Sequence, residues 1–511
     1  MLLLMACAPA TEETNSDDLY AGWEVTDSTD VGFLGYNYIR EVWEITPSAS
    51  QHFDTPFGEN RRFYLLRPRF PPATATPLLT LLHGGGVDDD SAPDYYDNPS
   101  ETMCWSTRAI AEGHLDIKHF QLHEAMQRGW AVVVPENLFC DFWAGLGSQD
   151  PVDPTNHRSN EHFFEVLDFL YEGRGGFEIS DLYFWGNSAG GAGAVTLSDR
   201  YGKADAIIVD SAPCNTIGYY DDAPNELGHI FGGAPYKDDA TTPTPYLQNY
   251  LNASCNWLVS DGGMRTPMFV PFNTRDQITQ SYSPLALADA LQATYPAEGV
   301  RYGTHNFNHN GPSSTFHTQA KGTTTLTRYT TTMMFEFLVG ASLTWVEAED
   351  GCAKDSCDVG LLLSESNSKN DILRYASNSA LRVVTPQDGA GVFYTAPIPE
   401  EIATANDVTA TIILQFMGQA SAEKESVIAT IHYQDAHTTV TQDVRLMDLV
   451  YDNTTDEGVY PLMQQQMAQT SATSISLPIA DPSTATLSVQ YTGLGDKEAQ
   501  LWLDAVVYQV R

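Results

Sequence analysis

Between about residues 60 and 350, short continuous apolar runs alternate with stretches whose apolar positions recur every three or four residues. The runs predict strands at Phe63–Leu66, Leu78–Leu82, Trp130–Val134, Leu182–Trp185, Ala206–Val209, Met268–Phe272 and Val300–Tyr302. A strand that is apolar at every position is buried on both faces, as in parallel sheets covered by helices. Phe163, Phe164, Leu167, Leu170 and Tyr171 form one stripe at the helical period. Ser283, Pro284 and then Leu285, Leu287 and Leu291 give an N-cap, a proline at the first helical position and a helix body. Strand–helix alternation of this kind predicts a doubly wound, mostly parallel α/β sheet.

The pattern changes after Gly351. Val408–Met417, Val427–Tyr433, Thr486–Tyr491 and Leu501–Val510 alternate or run apolar at strand length, punctuated by Thr, Ser, Gly, Asn and Asp. This predicts an all-β sandwich. The expected organisation is a leader remnant and polar tether over 1–18, an α/β domain over 19–351 and a β-sandwich over 352–511.

The 511 residues are 42% apolar and 18% charged, which excludes disorder of the whole chain. Sixty-six acidic against 26 basic residues leave a net charge of −40. That charge repels phosphate backbones, so no nucleic-acid partner is expected. No stretch approaches the ~18–20 apolar residues of a membrane-spanning helix.

The first residues, Met1 to Ala8, place Cys7 after an apolar run and a small residue, and Thr11 to Asp18 follow as a polar stretch. This resembles the lipobox of bacterial lipoproteins, and implies export to the outer membrane, cell surface or periplasm with Cys7 lipidated as the one membrane contact. Six cysteines remain, an even number that in an exported chain suggests disulfides. Pairing sequence neighbours gives Cys104–Cys140, Cys214–Cys255 and Cys352–Cys357. No His/Cys cluster has zinc spacing, so neither a metal nor another cofactor is expected.

The strongest chemical signal is Gly186-Asn187-Ser188-Ala189-Gly190-Gly191, a G-x-S-x-G directly after a buried strand and before a small-residue helix start. A sharp strand-to-helix turn lifts a serine hydroxyl above the sheet, and small neighbours tolerate the strain. The helix N-terminus behind it places the Ala189 N–H where an oxyanion would develop. A second signal, His83-Gly84-Gly85-Gly86, also follows a buried strand, and Gly85 and Gly86 can bring further N–H groups to the same oxyanion. His83 reads as a structural member of that loop rather than as a base.

A nucleophilic serine needs a base, and the base an orienting carboxylate. Asp276 lies just past the Met268–Phe272 strand and is the candidate acid. His305, His309 and His317 all follow the next strand. Proximity to the strand end favours His305, and spacing alone does not choose.

Four segments resemble the pectin acetylesterase/Notum branch of the α/β-hydrolases: the Ser188 motif, Leu82–Gly86, Cys140-Asp141-Phe142-Trp143-Ala144-Gly145 and Pro267–Asp276. The likeness covers roughly residues 60–350. In that family the catalytic histidine precedes a helical stretch ending in a Trp and an acidic turn. His317-Thr318, then Phe335 to Trp345 and Asp350-Gly351, is similar, so the resemblance moves the base to His317, with His305 second. It implies a secreted serine carboxylesterase: Ser188 attacks an ester carbonyl, His317 takes its proton, Asp276 orients the imidazole, and Gly85, Gly86 and Ala189 hold the oxyanion. The substrate would be a small acyl ester, acetyl among them, carried on a polysaccharide. Trp105, Phe142 and Trp143 are candidates to line the entrance, with core packing the equally weighted alternative. The last strand, Gln500–Val510, is similar to that of carbohydrate-binding jelly rolls. Two rival readings remain: an inactive glycan-binding surface lipoprotein, and a serine peptidase using the same triad.

Overall fold

The computed structural model describes residues 22–33, 36–45, 61–72, 74–84, 120–137, 143, 158–221, 224–261, 263–272, 282–306, 324–347, 358–361, 379–384, 391–417, 427–437, 439–445, 470–491 and 500–511. The first sheet contains β1 (Trp23–Phe33), β2 (Tyr36–Ile45), β3 (Arg61–Pro68), β4 (Thr76–Leu82), β5 (Ala131–Pro135), β6 (Ile179–Asn187), β7 (Ala206–Asp210), β8 (Met268–Phe272) and β9 (Tyr302–Asn306). These nine strands lie in the order β1-β2-β3-β5-β4-β6-β7-β8-β9. Strands β4 to β9 run parallel, and β1, β2 and β3 extend the sheet antiparallel.

The apolar runs are continuous because successive side chains enter two different cores. Leu78 and Leu82 of β4, Leu182 and Phe184 of β6, and Ile207 and Val209 of β7 face one core. Leu79, Leu81, Tyr183, Trp185, Ala206 and Ile208 face the other. Each core is roofed by helices. Their ranges are α1 (Phe120–Gln127), α2 (Arg158–Tyr171), α3 (Ala189–Tyr201), α4 (Thr216–Tyr220), α5 (Pro224–Phe231), α6 (Leu247–Ala253), α7 (Cys255–Ser260), α8 (Tyr282–Glu298) and α9 (Thr324–Leu338). Phe163, Val195, Val259 and Leu287 from α2, α3, α7 and α8 cover the first core. Leu122 of α1 and Phe335 of α9 cover the second. The mixed α/β sheet is the one the alternation predicts.

Strand β3 begins on a buried ion pair. Arg61 Nη1 donates to Glu165 Oε2 at 2.6 Å, and Trp23 Nε1 donates to the other oxygen at 3.2 Å. His162 Nδ1 lies 3.5 Å from the same guanidinium, and its Nε2 lies 3.2 Å from the Arg62 carbonyl. Burial, and then the charge of Arg61, hold His162 well below its usual range. This cluster ties β1, β3 and α2 together with each charge matched, the condition under which buried ions are tolerated.

The remaining strands are β10 (Ser342–Glu347), β11 (Asp358–Leu361), β12 (Ser379–Val384), β13 (Gly391–Pro397), β14 (Val408–Met417), β15 (Val427–Gln434), β16 (Thr439–Arg445), β17 (Thr470–Ile479), β18 (Thr486–Tyr491) and β19 (Gln500–Val510). They form a six-stranded sheet, β11-β12-β19-β14-β17 with β10 paired to β19, and a four-stranded sheet, β13-β18-β15-β16. One apolar core takes Ile412, Leu414, Leu503 and Val506 from the first and Ile431, Tyr433, Leu487 and Val489 from the second. The C-terminal sheet also takes in a strand from before residue 351. Ser342 to Glu347 pair antiparallel with Val510 to Ala505, so this stretch completes the C-terminal sheet. The other face of that sheet packs on α9. Val507 joins the second α/β core, and Gln509 Nε2 donates to Met333 Sδ at 3.2 Å.

Residues 211–267, between β7 and β8, carry α4 to α7. Leu227, Phe231, Tyr250 and Ala253 form a small core of their own there, flanked by Tyr219, Tyr220 and Tyr246. Cys214 stands at the root of this insertion and Cys255 opens α7. The expected Cys214–Cys255 disulfide is absent: both are buried free thiols. The two thiols are hydrogen-bonded neighbours without a bridge, because nearness in sequence does not set oxidation state. Burial, and then a hydrogen bond to Cys255, push the Cys214 thiol well up. Thiolate, the reactive form, is therefore scarce. An aromatic disulfide reagent should find neither thiol in the native protein and both after unfolding without reductant, read by mass mapping. Recovery of a 214–255 crosslinked peptide instead would establish the disulfide. The other two expected pairs, at Cys104, Cys140, Cys352 and Cys357, lie outside the described residues, as does Cys7.

Candidate active site

Strands β4, β6, β7, β8 and β9 are parallel, so their C-terminal ends share one edge of the sheet. Ser188 stands on that edge, in the turn from β6 to α3. Its φ of 54° and ψ of −125° lie outside the regions open to an L-residue at low energy. Such a conformation costs about 1–3 kcal/mol and persists only where the surroundings enforce it. Here the Ser188 N–H donates to the Asp210 carbonyl at the end of β7 (2.9 Å), and the Ser188 carbonyl accepts from Gly191 N (2.9 Å). The side chain caps no helix N–H, and the residue is half-buried. Ala189, the first residue of α3, contributes one of the opening N–H groups that no carbonyl of the helix can accept.

Glycines allow the turn to press against its neighbours. A Cβ on Gly186 would stand 1.9 Å from the Gly190 carbonyl oxygen, and one on Gly190 would stand 2.0 Å from the Leu82 oxygen. The start of α3 thus rests directly on the ends of β6 and β4. The loop after β4 reaches the serine: a Cβ on Gly84 would lie 3.0 Å from Ser188 Cβ and 3.6 Å from its Oγ. The two glycine motifs, about 100 residues apart in the chain, meet at one hydroxyl. Gly85 and Gly86, the expected oxyanion donors, lie outside the described residues; Gly84, which sequence reasoning passed over, is the glycine seen against Ser188.

His83 is fully buried and its ring is held at both nitrogens. Nδ1 lies 2.9 Å from the Gly84 carbonyl, and Nε2 accepts from Asn137 N at 3.3 Å. That pairing requires the proton on Nδ1. Burial pushes His83 down to about 4, against a smaller upward pull from the Gly84 bond. The side chain is a neutral strut, as the sequence reading expects.

Two buried neutral histidines have a consequence for stability. In the unfolded chain each takes a proton near pH 6.5. Below that pH the unfolded state binds more protons than the folded one, so stability falls as pH drops from 6.5 towards about 4 for His83. Melting temperature should therefore fall between about pH 7 and 5.5, above the range where carboxylates titrate. A flat or rising profile there would contradict the assignment.

Of the two readings open for Trp143, the structure takes the packing one. Its exposure is 1%, so it is core rather than an entrance wall. Its φ is 60°, and its indole lies so close to α3 that a Cβ on Gly193 would meet it at 2.6 Å. Nothing in its neighbouring sequence distinguished lining from packing, because the partners are distant in the chain. Trp105 and Phe142, the other two candidates, lie outside the described residues.

The chain leaves β8 at Phe272 and β9 at Asn306 on the Ser188 edge. Asp276, His309 and His317 come next in sequence but lie outside the described residues. His305, the second choice of base, sits on β9, and its ring stacks on Trp345 of β10 (4.9 Å between centroids, 19° between planes). Trp345 was expected at the end of a helical stretch; the helix, α9, ends at Leu338 and Trp345 lies on a strand. Among the described residues no group of His, Cys, Asp and Glu could hold a metal ion.

No protein-family model and no curated protein matches the chain. Among solved structures it is similar to an S-formylglutathione hydrolase from Agrobacterium tumefaciens, at 13% identity over 61% of this chain and 98% of that one, with a TM-score of 0.40. It is similar to a CE15 glucuronoyl esterase from Teredinibacter turnerae, at 12% identity over 62% and 77%, with a TM-score of 0.39. It is also similar to carboxyl esterase 2 from Tuber melanosporum, at 16% identity over 61% and 88%, with a TM-score of 0.35. Two of these neighbours are esterases by name and one a hydrolase, at a distance that assigns this chain no substrate.

Proposed function

We propose that the protein is a serine carboxylesterase acting on small acyl esters. The observation that carries the reading is the strained Ser188, perched between β6 and the N-terminus of α3 with the Gly84 loop against it. Serine Oγ attacks the ester carbonyl carbon while the base takes the hydroxyl proton. The oxyanion collapses, the alcohol leaves with that proton, and water hydrolyses the acyl-enzyme by the reverse relay. Asp276 and His317 serve as acid and base, with His305 second. This assignment rests on the sequence resemblance and on the exit of β8 and β9 from the Ser188 edge. Ala189 and the glycines from Gly84 to Gly86 hold the oxyanion.

The pectin acetylesterase-like subtype, with an acetylated polysaccharide as substrate, comes from the sequence resemblance, as do export and lipidation at Cys7. The two facing C-terminal sheets form the β-sandwich of this reading, with a sugar surface or a purely structural role open to it. A fluorophosphonate probe tests the core of the reading: it should label Ser188 alone, as mapped by mass spectrometry, and p-nitrophenyl acetate should be hydrolysed while the matched anilide is not. Cleavage of the anilide at a comparable rate favours the peptidase reading. No label and no ester turnover favour the inactive glycan-binding reading.

A further inference from the structure

His83 and Gly84, at the end of β4, are held by residues with no chemical role of their own. Trp143 Nε1 donates to the His83 carbonyl at 3.0 Å, and the two rings pack edge-to-face at 5.1 Å. Trp143 is itself anchored to the helices behind Ser188. Its carbonyl accepts from Thr196 Oγ1 of α3 at 3.3 Å and, with the amide turned to satisfy its neighbours, from Asn160 of α2 at 3.2 Å. His83 in turn spans the end of β4 and the loop after β5 through Gly84 O and Asn137 N.

The carbonyl and N–H of a trans peptide point in opposite directions. A bond that captures the His83 carbonyl therefore turns the Gly84 N–H to the side away from Trp143. A bond that captures the Gly84 carbonyl likewise fixes the peptide plane leaving Gly84. Both planes belong to the residue packed against Ser188 Cβ. A free glycine run would sample many orientations, and donors that must reorient during the reaction stabilise an oxyanion less than donors already aimed.

We propose that Trp143 and His83 are positioning residues for the oxyanion hole, clamping the two peptide planes around Gly84 in the orientation that stabilises the transition state. This rests on the esterase reading. Trp143→Phe keeps a ring on Gly193 but loses the N–H. It should lower kcat for p-nitrophenyl acetate by about 10–100-fold, below the 10²–10³ lost on deleting an oxyanion donor outright, with KM changed less than about threefold. His83→Leu should behave similarly, and His83→Asn, which restores a donor near the Nδ1 position, should recover part of kcat. Amide hydrogen exchange supplies a readout independent of turnover: peptides covering residues 79–86 should exchange slowly in the wild type and faster in Trp143→Phe, while β6 and β7 stay protected.

Folded Trp143→Phe with kcat within twofold of wild type overturns the proposal, as does unchanged exchange over 79–86. If neither Trp143→Phe nor His83→Leu folds, wild-type exchange decides: rapid exchange over 79–86 overturns the clamp and slow exchange supports it. If the wild type shows no ester turnover and Ser188 takes no label, the esterase reading fails, and the exchange comparison alone still tells whether the clamp exists.

Discussion

Replacing Ser188 with alanine is expected to lower kcat/KM for a short acyl ester by about a hundred-thousand-fold or more, the scale seen when a triad nucleophile is removed. Ser211, the serine that follows β7 at the same edge, also has a positive φ of 49°, but it is buried, whereas Ser188 is half-buried. Asn187 before it belongs to β6, and Ala189 after it has no nucleophile. The variant should fold. Alanine and serine differ by one oxygen, the Ser188 side chain makes no cap bond, and the strained backbone is held by main-chain bonds to Asp210 and Gly191 that alanine keeps. Melting temperature should thus stay within a few degrees while turnover disappears. Turnover within about tenfold of wild type would remove Ser188 from the mechanism.

The largest effect on stability is expected at Gly190. A methyl group there would stand 2.0 Å from the Leu82 oxygen and 2.6 Å from the His83 oxygen, both of them backbone. Neither can rotate away, so the start of α3 and the end of β4 must separate by on the order of an ångström, in a region packed as densely as a crystal. Gly190→Ala should cost about 4–5 kcal/mol or more, among the largest single-residue effects. It should either fail to fold or unfold at much lower denaturant. Gly32→Ala is the control. A Cβ there meets nothing within 4 Å, and denaturation midpoints should match the wild type to about 0.5 kcal/mol. Equal stability of the two variants would mean that α3 does not rest on β4 as described.

Legibility followed the range of the forces involved. Strands β4, β6, β7 and β8 were readable because burial on both faces leaves a nearly unbroken apolar run, Thr80 of β4 being the polar exception, a signal contained in four or five residues. Strands β14 and β18 were read to the residue. The β1–β2 hairpin was missed because β1 is almost wholly exposed and its sequence carries no run or alternation. Helices α4 to α7 span five to eight residues each, too short for a 3.6-residue period to emerge. β10 was not read as a strand, since its partner β19 lies more than 150 residues away.

The candidate site divides along the same line. By itself the sequence determined the sharp turn at Ser188, because the strand before it, the glycines around it and the helix after it are neighbours in the chain and their steric demands are local. It also determined that a second glycine loop follows β4. Only the tertiary structure decided that Gly84 packs against Ser188, that Trp143 is a buried strut rather than a wall, and that His83 is locked as one neutral tautomer. Each of those depends on contacts between β4, the β5 loop, α2 and α3, segments that chain connectivity leaves free and packing alone brings together.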